Sequence, residues 1–276
     1  MISTPRTDNP TARLFLPLIL LLLLVGGCAQ KPWRESLQPD QGRAAEQVFR
    51  SMQQRDAACP PCIDGDAVMA MKNHLDTRAL SGYIQCRLPD RIKFIAANPL
   101  GQPLFAATTD GTSFTTINTA QRTVMSGRLA AYAQLHDIPP AFFSGSWGEW
   151  LTGRVDQRRQ DTLSWRTDDE GRGTWASFRT ASEGETTTTH LLIDLHRALL
   201  LTRILQDGKG RILAEINYGG WEELGGCRQP TEITMHRLAF GGEISLELRR
   251  MQADDSCRAG DFVLPIPASY SRQTLP

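Results

Sequence analysis

Two hydrophobic periods run through the chain. From residue 66 onward apolar positions mostly recur every second residue, the spacing of a strand with one wet face. Residues 67–71 form a short apolar run. Ile84, Cys86 and Leu88 then alternate with Gln85 and Arg87, and Ile92, Phe94 and Ala96 alternate with Lys93. Leu104, Ala106 and Thr108 lead into Asp110-Gly111, a hairpin dipeptide, and a strand over 113–118 follows. Further strands are predicted over 174–179, 187–195, 198–206 and 211–218, the last two joined by a turn at Asp207-Gly208-Lys209-Gly210. In the final hairpin Ile233 and Met235 precede Gly241-Gly242, and Ile244, Leu246 and Leu248 then alternate with Glu243, Ser245, Glu247 and Arg249. The pattern predicts a mainly β protein of the α+β class, a meander of antiparallel strands with one apolar face.

The helical period occurs in three places. Ala45, Val48, Phe49 and Met52 fall on one face of a helix over 42–56. Leu129, Tyr132 and Ala133 share a face of a shorter helix over 129–135, with Ser126 as its expected N-cap. A third piece over 146–151 has Ser146 and Glu149 at capping-box spacing, and Gly153 follows as a stop. Phe142, Phe143, Trp147, Trp150 and Leu151 make this the greasiest irregular region of the mature chain. It reads as a lid buried on a core or as a lid over an apolar ligand, because both are lined by the same residue types. Residues 154–172 are charged and read as a loop or ragged hairpin. Residues 264–276 read as a docked or disordered tail.

One turn breaks the rule that turn tips are polar. Between the strands ending at Ala96 and starting at Leu104 lies Ala97-Asn98-Pro99-Leu100-Gly101-Gln102-Pro103. Pro99 fixes its own φ and Gly101 tolerates a positive one, so the chain turns here. Leu100 gains nothing from water at such a tip. Either it folds back onto the core, or it is held out to enter something apolar.

Composition narrows the function classes. The 276 residues suffice for a good core, and 30 Lys plus Arg against 30 Asp plus Glu argue against a nucleic-acid partner. There is no Gly-x-Ser-x-Gly, no His-Glu-x-x-His and no Gly-Lys-Ser/Thr phosphate loop, so no enzyme, metal or cofactor is expected. His190 and His196 read as surface histidines. Arg6 and Arg13 precede an apolar run over 14–25 that is too short to span a bilayer, followed by Gly26-Gly27-Cys28. This is a secretory signal over 1–27, and its ending is similar to the lipobox of bacterial lipoproteins. That likeness implies lipidation of Cys28, with 28–41 as lipidated N-terminus and tether; Ala29 in place of Asp points to the outer membrane.

An oxidising compartment makes structural disulfides the default. Cys59-Pro60-Pro61-Cys62 lacks the βαβ context of a redox centre, although a disulfide-handling enzyme built on it is a further reading. Cys227 and Cys257 lie at nearly equal distances from the final hairpin turn and are expected to pair, leaving one of Cys59, Cys62 and Cys86 free.

The order of landmarks resembles the LolB family of outer-membrane lipoproteins. The matching stretches are the lipobox, Ile95-Ala96-Ala97-Asn98-Pro99-Leu100-Gly101, Glu149-Trp150-Leu151-Thr152-Gly153, Ile216-Asn217-Tyr218-Gly219-Gly220-Trp221 and the closing hairpin. The resemblance implies a curved, half-open barrel over 42–257, closed by helices over a hydrophobic cavity, with 258–276 as an extra C-terminal tail. It implies a non-enzymatic monomer that accepts lipoproteins from a periplasmic carrier and inserts them into the outer membrane, Pro99, Leu100 and Gly101 forming the membrane-inserting loop. Acyl-chain contacts are expected from Phe94, Leu104, Phe143, Trp147, Trp150, Leu151, Ile216 and Met235, for each of which plain core packing is an equal reading. The alternative function is binding of another amphiphile, or envelope assembly without transfer.

Overall fold

The alternating stretches form one open sheet, antiparallel but for its C-terminal edge strand, in the computed structural model, which describes residues 31–73, 76–139, 142, 147–155, 164–182, 185–238 and 241–276. In chain order the strands are β1 (Trp33–Ser36), β2 (Cys62–Lys72), β3 (Thr77–Arg87), β4 (Arg91–Ala97), β5 (Pro103–Thr109), β6 (Ser113–Asn118) and β7 (Thr123–Arg128). After the helices come β8 (Ser164–Asp168), β9 (Thr174–Ser182), β10 (Glu185–Asp194), β11 (Leu199–Asp207), β12 (Ile212–Gly219), β13 (Glu222–Leu224), β14 (Cys227–Gln229), β15 (Glu232–His236), β16 (Glu243–Asp254) and β17 (Ser271–Thr274). The sheet order is β1-β8-β9-β10-β11-β12-β15-β16-β2-β3-β4-β5-β6-β7-β17, with β13 and β14 as a separate hairpin. β16 against β2 joins two meanders into one curved sheet. Its edges are β1 and β17, so the barrel does not close.

Register carries a single apolar face across the whole sheet, because directly opposed residues point the same way. Ile216, Met235, Ile244 and Met71 stand in one such row across β12, β15, β16 and β2. Tyr218, Ile233, Leu246, Met69 and Leu80 form the next. Helix α1 (Pro39–Ala57) covers this inner face with Phe49 and Met52; Pro39 in its first turn lacks an N–H that would be unpaired there anyway. α2 (Leu129–Leu135) follows β7, and α3 (Trp147–Thr152) adds Trp150 and Leu151 to the same core.

The outer face is covered in two places, which the alternation did not foretell. Trp33 folds over Trp175, Leu192 and Ile204, and the C-terminal segment lays Leu264 over Ala106, Ile117 and Val124. That segment ends as β17, parallel to β7, so the tail is docked. Two other expectations change, and one alternative is resolved. Residues 28–41 are not all tether, because β1 pairs with β8 and α1 begins at Pro39. The charged stretch takes its hairpin reading over 164–172, where β8 leads into antiparallel β9. Ser126 lies within β7, and Arg128 takes the N-cap position of α2. Ser146 lies outside the described residues.

The disulfides correct the expected pairing. Cys59 bonds Cys227 and Cys62 bonds Cys257, so Cys227 and Cys257 do not pair with each other. Equal distance from the turn does not bring the two together, because β16 runs past its partner β15 and pairs on with β2 as far as Asp254 opposite Cys62. Cys257 therefore ends beside Cys62. Cys86, opposite Ile63, faces the inner core as a free buried thiol.

Candidate functional site

At one end of the sheet the inner face is left only half covered. Met71 is 52% exposed and Leu80 36%, while Met69, Met235, Ile244 and Phe105 are half-buried on the same face. These side chains continue the buried rows of the core out to the rim. The β4–β5 turn lies at this same end, since β4 terminates there at Ala97.

The turn is pinned by its own polar groups. Asn98 N donates to Gln102 O at 2.9 Å, and Gly101 N donates to Asn98 O at 2.9 Å. Asn98 Oδ1 accepts from the amides of Leu100 and Gln102, each at 3.0 Å, while Asn98 Nδ2 donates to Gln102 Oε1 at 3.0 Å. Gly101 has φ +79° and nothing within 4 Å of where a Cβ would stand, so its role is conformational. With the backbone satisfied internally, Leu100 makes no fold-back contact and is 84% exposed. Of the two readings of the turn, the structure takes the one with the side chain held out.

The other predicted contact residues divide. Phe94, Trp150, Leu151 and Ile216 are buried in the inner core, with Trp147 and Met235 packed against it half-buried. Phe142, Trp147 and Trp150 form an aromatic triangle with ring centroids 5.0–5.3 Å apart. Phe143 and Cys28 lie outside the described residues. Leu104 is a correction: Phe105 stands opposite Ala96 on the inner face, so Leu104 points outward and is 41% exposed. Sequence reasoning missed Met69, Met71, Leu80 and Ile244 as a group. The apolar run over 67–71 and the closing hairpin carried that signal.

α3 is held over the inner face by a buried charged seam. Arg203 of β11 reaches Glu149 Oε2 at 3.6 Å and donates from Nη2 to the Arg154 carbonyl at 2.8 Å. Arg154 Nη1 donates to Pro60 O at 2.8 Å, and Val155 N donates to Asp56 Oδ2 at 3.0 Å, tying the segment to the end of α1. Burial pushes the Asp56 carboxyl up despite the Val155 amide and nearby arginines, and burial pulls the Arg154 guanidinium down. The seam pairs Arg203 with Glu149 and Arg154 with the Pro60 carbonyl, and the buried Nε atoms of both arginines have no hydrogen-bond partner among the described residues. Cys59 and Cys62 belong to two different disulfides and so are not a redox pair. Burial pushes the Cys86 thiol up to about 12, which leaves almost no thiolate at neutral pH. Among the described residues no cluster of three metal-ligating side chains occurs.

His190 also departs from expectation. It is buried on the outer face, with Nδ1 2.7 Å from Ser177 Oγ and Nε2 3.2 Å from Gln206 Oε1.

No family model matches the chain, and no curated protein matches it. Among solved structures it is similar to a DUF1329 family protein from Desulfovibrio piger, at 12% identity and TM-score 0.47, covering 80% of this chain and 96% of that one. It is similar to a putative outer membrane lipoprotein-sorting protein domain from Vibrio parahaemolyticus, at 12% identity and TM-score 0.48, covering 79% and 97%. It is also similar to a LolA superfamily protein from Nitrosomonas europaea, at 12% identity and TM-score 0.44, covering 78% and 97%.

Proposed function

We propose that this chain is a non-enzymatic lipoprotein, anchored through Cys28 and facing the periplasm from the outer membrane, that receives lipoproteins from a periplasmic carrier and passes them into the membrane. The observation that carries the reading is Leu100, 84% exposed on a turn that pins itself, at the same end as the half-covered apolar rim. Inserting one Leu side chain is worth about 1.5–3 kcal/mol, enough to bias the turn into an interface without fixing it there. Cargo acyl chains are held far more strongly, at about 0.8 kcal/mol per CH₂, so unassisted passage through water is prohibitive. An apolar rim that exchanges acyl contact for acyl contact keeps transfer near isoenergetic. No cofactor or nucleotide is required.

The test is depletion in the cell followed by membrane fractionation. Lipoproteins of the outer membrane then accumulate in the periplasm or inner membrane. Normal sorting after depletion removes the transfer reading. It leaves the second one, an outer-membrane protein holding a different amphiphile or serving envelope assembly. That reading is favoured by one feature: Trp150 and Leu151 of α3, with Phe142, are already packed into the inner core.

A further inference from the structure

The segment just after the expected anchor is not free chain but a strand docked over a histidine. β1 has two register pairs with β8, Trp33 to Asp168 and Ser36 to Arg166, with an irregularity between them. Around it, Leu37 N donates to Trp165 O at 3.0 Å and Asp169 N donates to Pro32 O at 2.9 Å. Arg34 forms an exposed ion pair with Asp169, a contact of small net value in water. The one deeply buried side chain of the strand is Trp33. Its ring stacks on His190 with centroids 4.1 Å apart and meets Trp175 edge-on at 5.5 Å.

His190 cannot leave this site by itself. It lies in β10, paired on one side with Ser177 of β9 and on the other with Ile204 of β11. Trp33, on a four-residue edge strand, is a cover that can move away and let water in. Protonation of the imidazole is therefore coupled to undocking of that strand. We propose that β1 is an acid-released strand whose docking lengthens or shortens the free chain ahead of α1.

The charges around the ring agree with this direction. Burial holds the His190 imidazolium below its ordinary 6.5, and the cations Arg166 on β8 and Lys31 ahead of β1 act the same way against the opposing Gln206 contact. The carboxylates at this corner are engaged elsewhere: Asp168 with Arg172 and Trp175, Asp169 with Arg34. An imidazolium under Trp33 would gain a cation–π contact, but that ring already has the Arg166 guanidinium 5.9 Å from its centroid. Burying the new charge costs more than this contact returns, so burial sets the direction. Docked β1 binds fewer protons than released β1. Docking is thus strongest above pH 6.5 and weakens as pH falls below it.

The release rests on β1 and His190 alone; its use as a tether rests on anchoring at Cys28 as proposed above. With β1 docked, only residues 29–32 separate Cys28 from the body, and with β1 released the free stretch runs to residue 38. At roughly 3.3–3.6 Å per extended residue, the reach from the membrane grows from about 15 Å to about 35 Å. Acid would then let the Leu100 turn sample a wider shell around the anchor.

The experiment is hydrogen exchange on the full chain, reading the Leu37 and Asp169 amides at pH 7.5 and 5.5 after correction for intrinsic exchange, with β10 and β11 amides as reference. The expected result is a loss of protection at these two amides of up to about tenfold per pH unit below 6.5, with the reference amides unchanged. His190→Gln keeps both hydrogen-bonding ends without a titrating group and is expected to abolish the response. Arg166→Gln, which removes a half-buried cation of β8 beside the ring, is expected to shrink it. Equal corrected protection at both pH values overturns the proposal, as does an undiminished response in His190→Gln. Absence of lipid on Cys28 in the protein purified from membranes, read by mass spectrometry, overturns the tether role and leaves the release standing.

Discussion

Two turns at the same end of the sheet each carry a leucine, and they treat it in opposite ways. Leu100, between β4 and β5, is 84% exposed; Leu238, between β15 and β16, is 5% exposed and joins the inner core. Hydrophobicity is the same in both, so it does not decide the outcome. The β4–β5 turn is short and closes its amides on Asn98, which leaves the tip side chain no path back to the sheet. The turn before β16 is longer, passes through Arg237 at φ 49°, and closes Gly241 N onto Leu238 O at 2.8 Å, which turns Leu238 inward. Hydrogen bonding within the turn sets the direction, and burial energy follows.

The largest test of that contrast is Leu238→Ala. It removes a fully packed side chain and is expected to cost about 2–5 kcal/mol, read as a lowered denaturation midpoint at unchanged slope. A loss below 0.5 kcal/mol would mean that Leu238 is no more buried in solution than Leu100. Next comes Asn98→Ala, which deletes the acceptor of two backbone amides and the donor to Gln102. A stability loss of about 1–2 kcal/mol is expected, with increased exchange at the Leu100 and Gln102 amides. Unchanged exchange there would show that the backbone closes the turn without the side chain. Gly101→Ala meets no atom, so its cost of roughly 1–2 kcal/mol comes from the positive φ alone. The smallest stability effect belongs to Leu100→Ala, expected within about 0.5 kcal/mol of wild type by the same denaturation curve. A larger loss would place Leu100 in a contact the turn does not make.

The sequence made some of this legible and hid the rest for identifiable reasons. Strands with one wet face, such as β16, were plain from alternation, and so was the odd leucine at position 100. Leu104 was misplaced because β5 is covered on both sides, by the inner core at Phe105 and by Leu264 behind Ala106. A strand covered twice loses the alternation that reports its facing. His190 reads as a surface residue in the sequence because its cover, Trp33, comes from a strand too short to carry a period. Disulfide partners are set by how far β16 overruns β15, which local pattern does not encode. The half-covered rim was missed as a unit because Met71, Leu80 and Ile244 come from three strands, and only register puts them side by side.

The proposed role has Leu100 act on the membrane and not on the fold. To test it, a carrier loaded with a lipidated cargo is mixed with the purified protein and liposomes, and wild type is compared with Leu100→Glu. Both proteins are expected to take cargo from the carrier, and only wild type to pass it into the liposomes. Delivery by Leu100→Glu at the wild-type rate would remove that role.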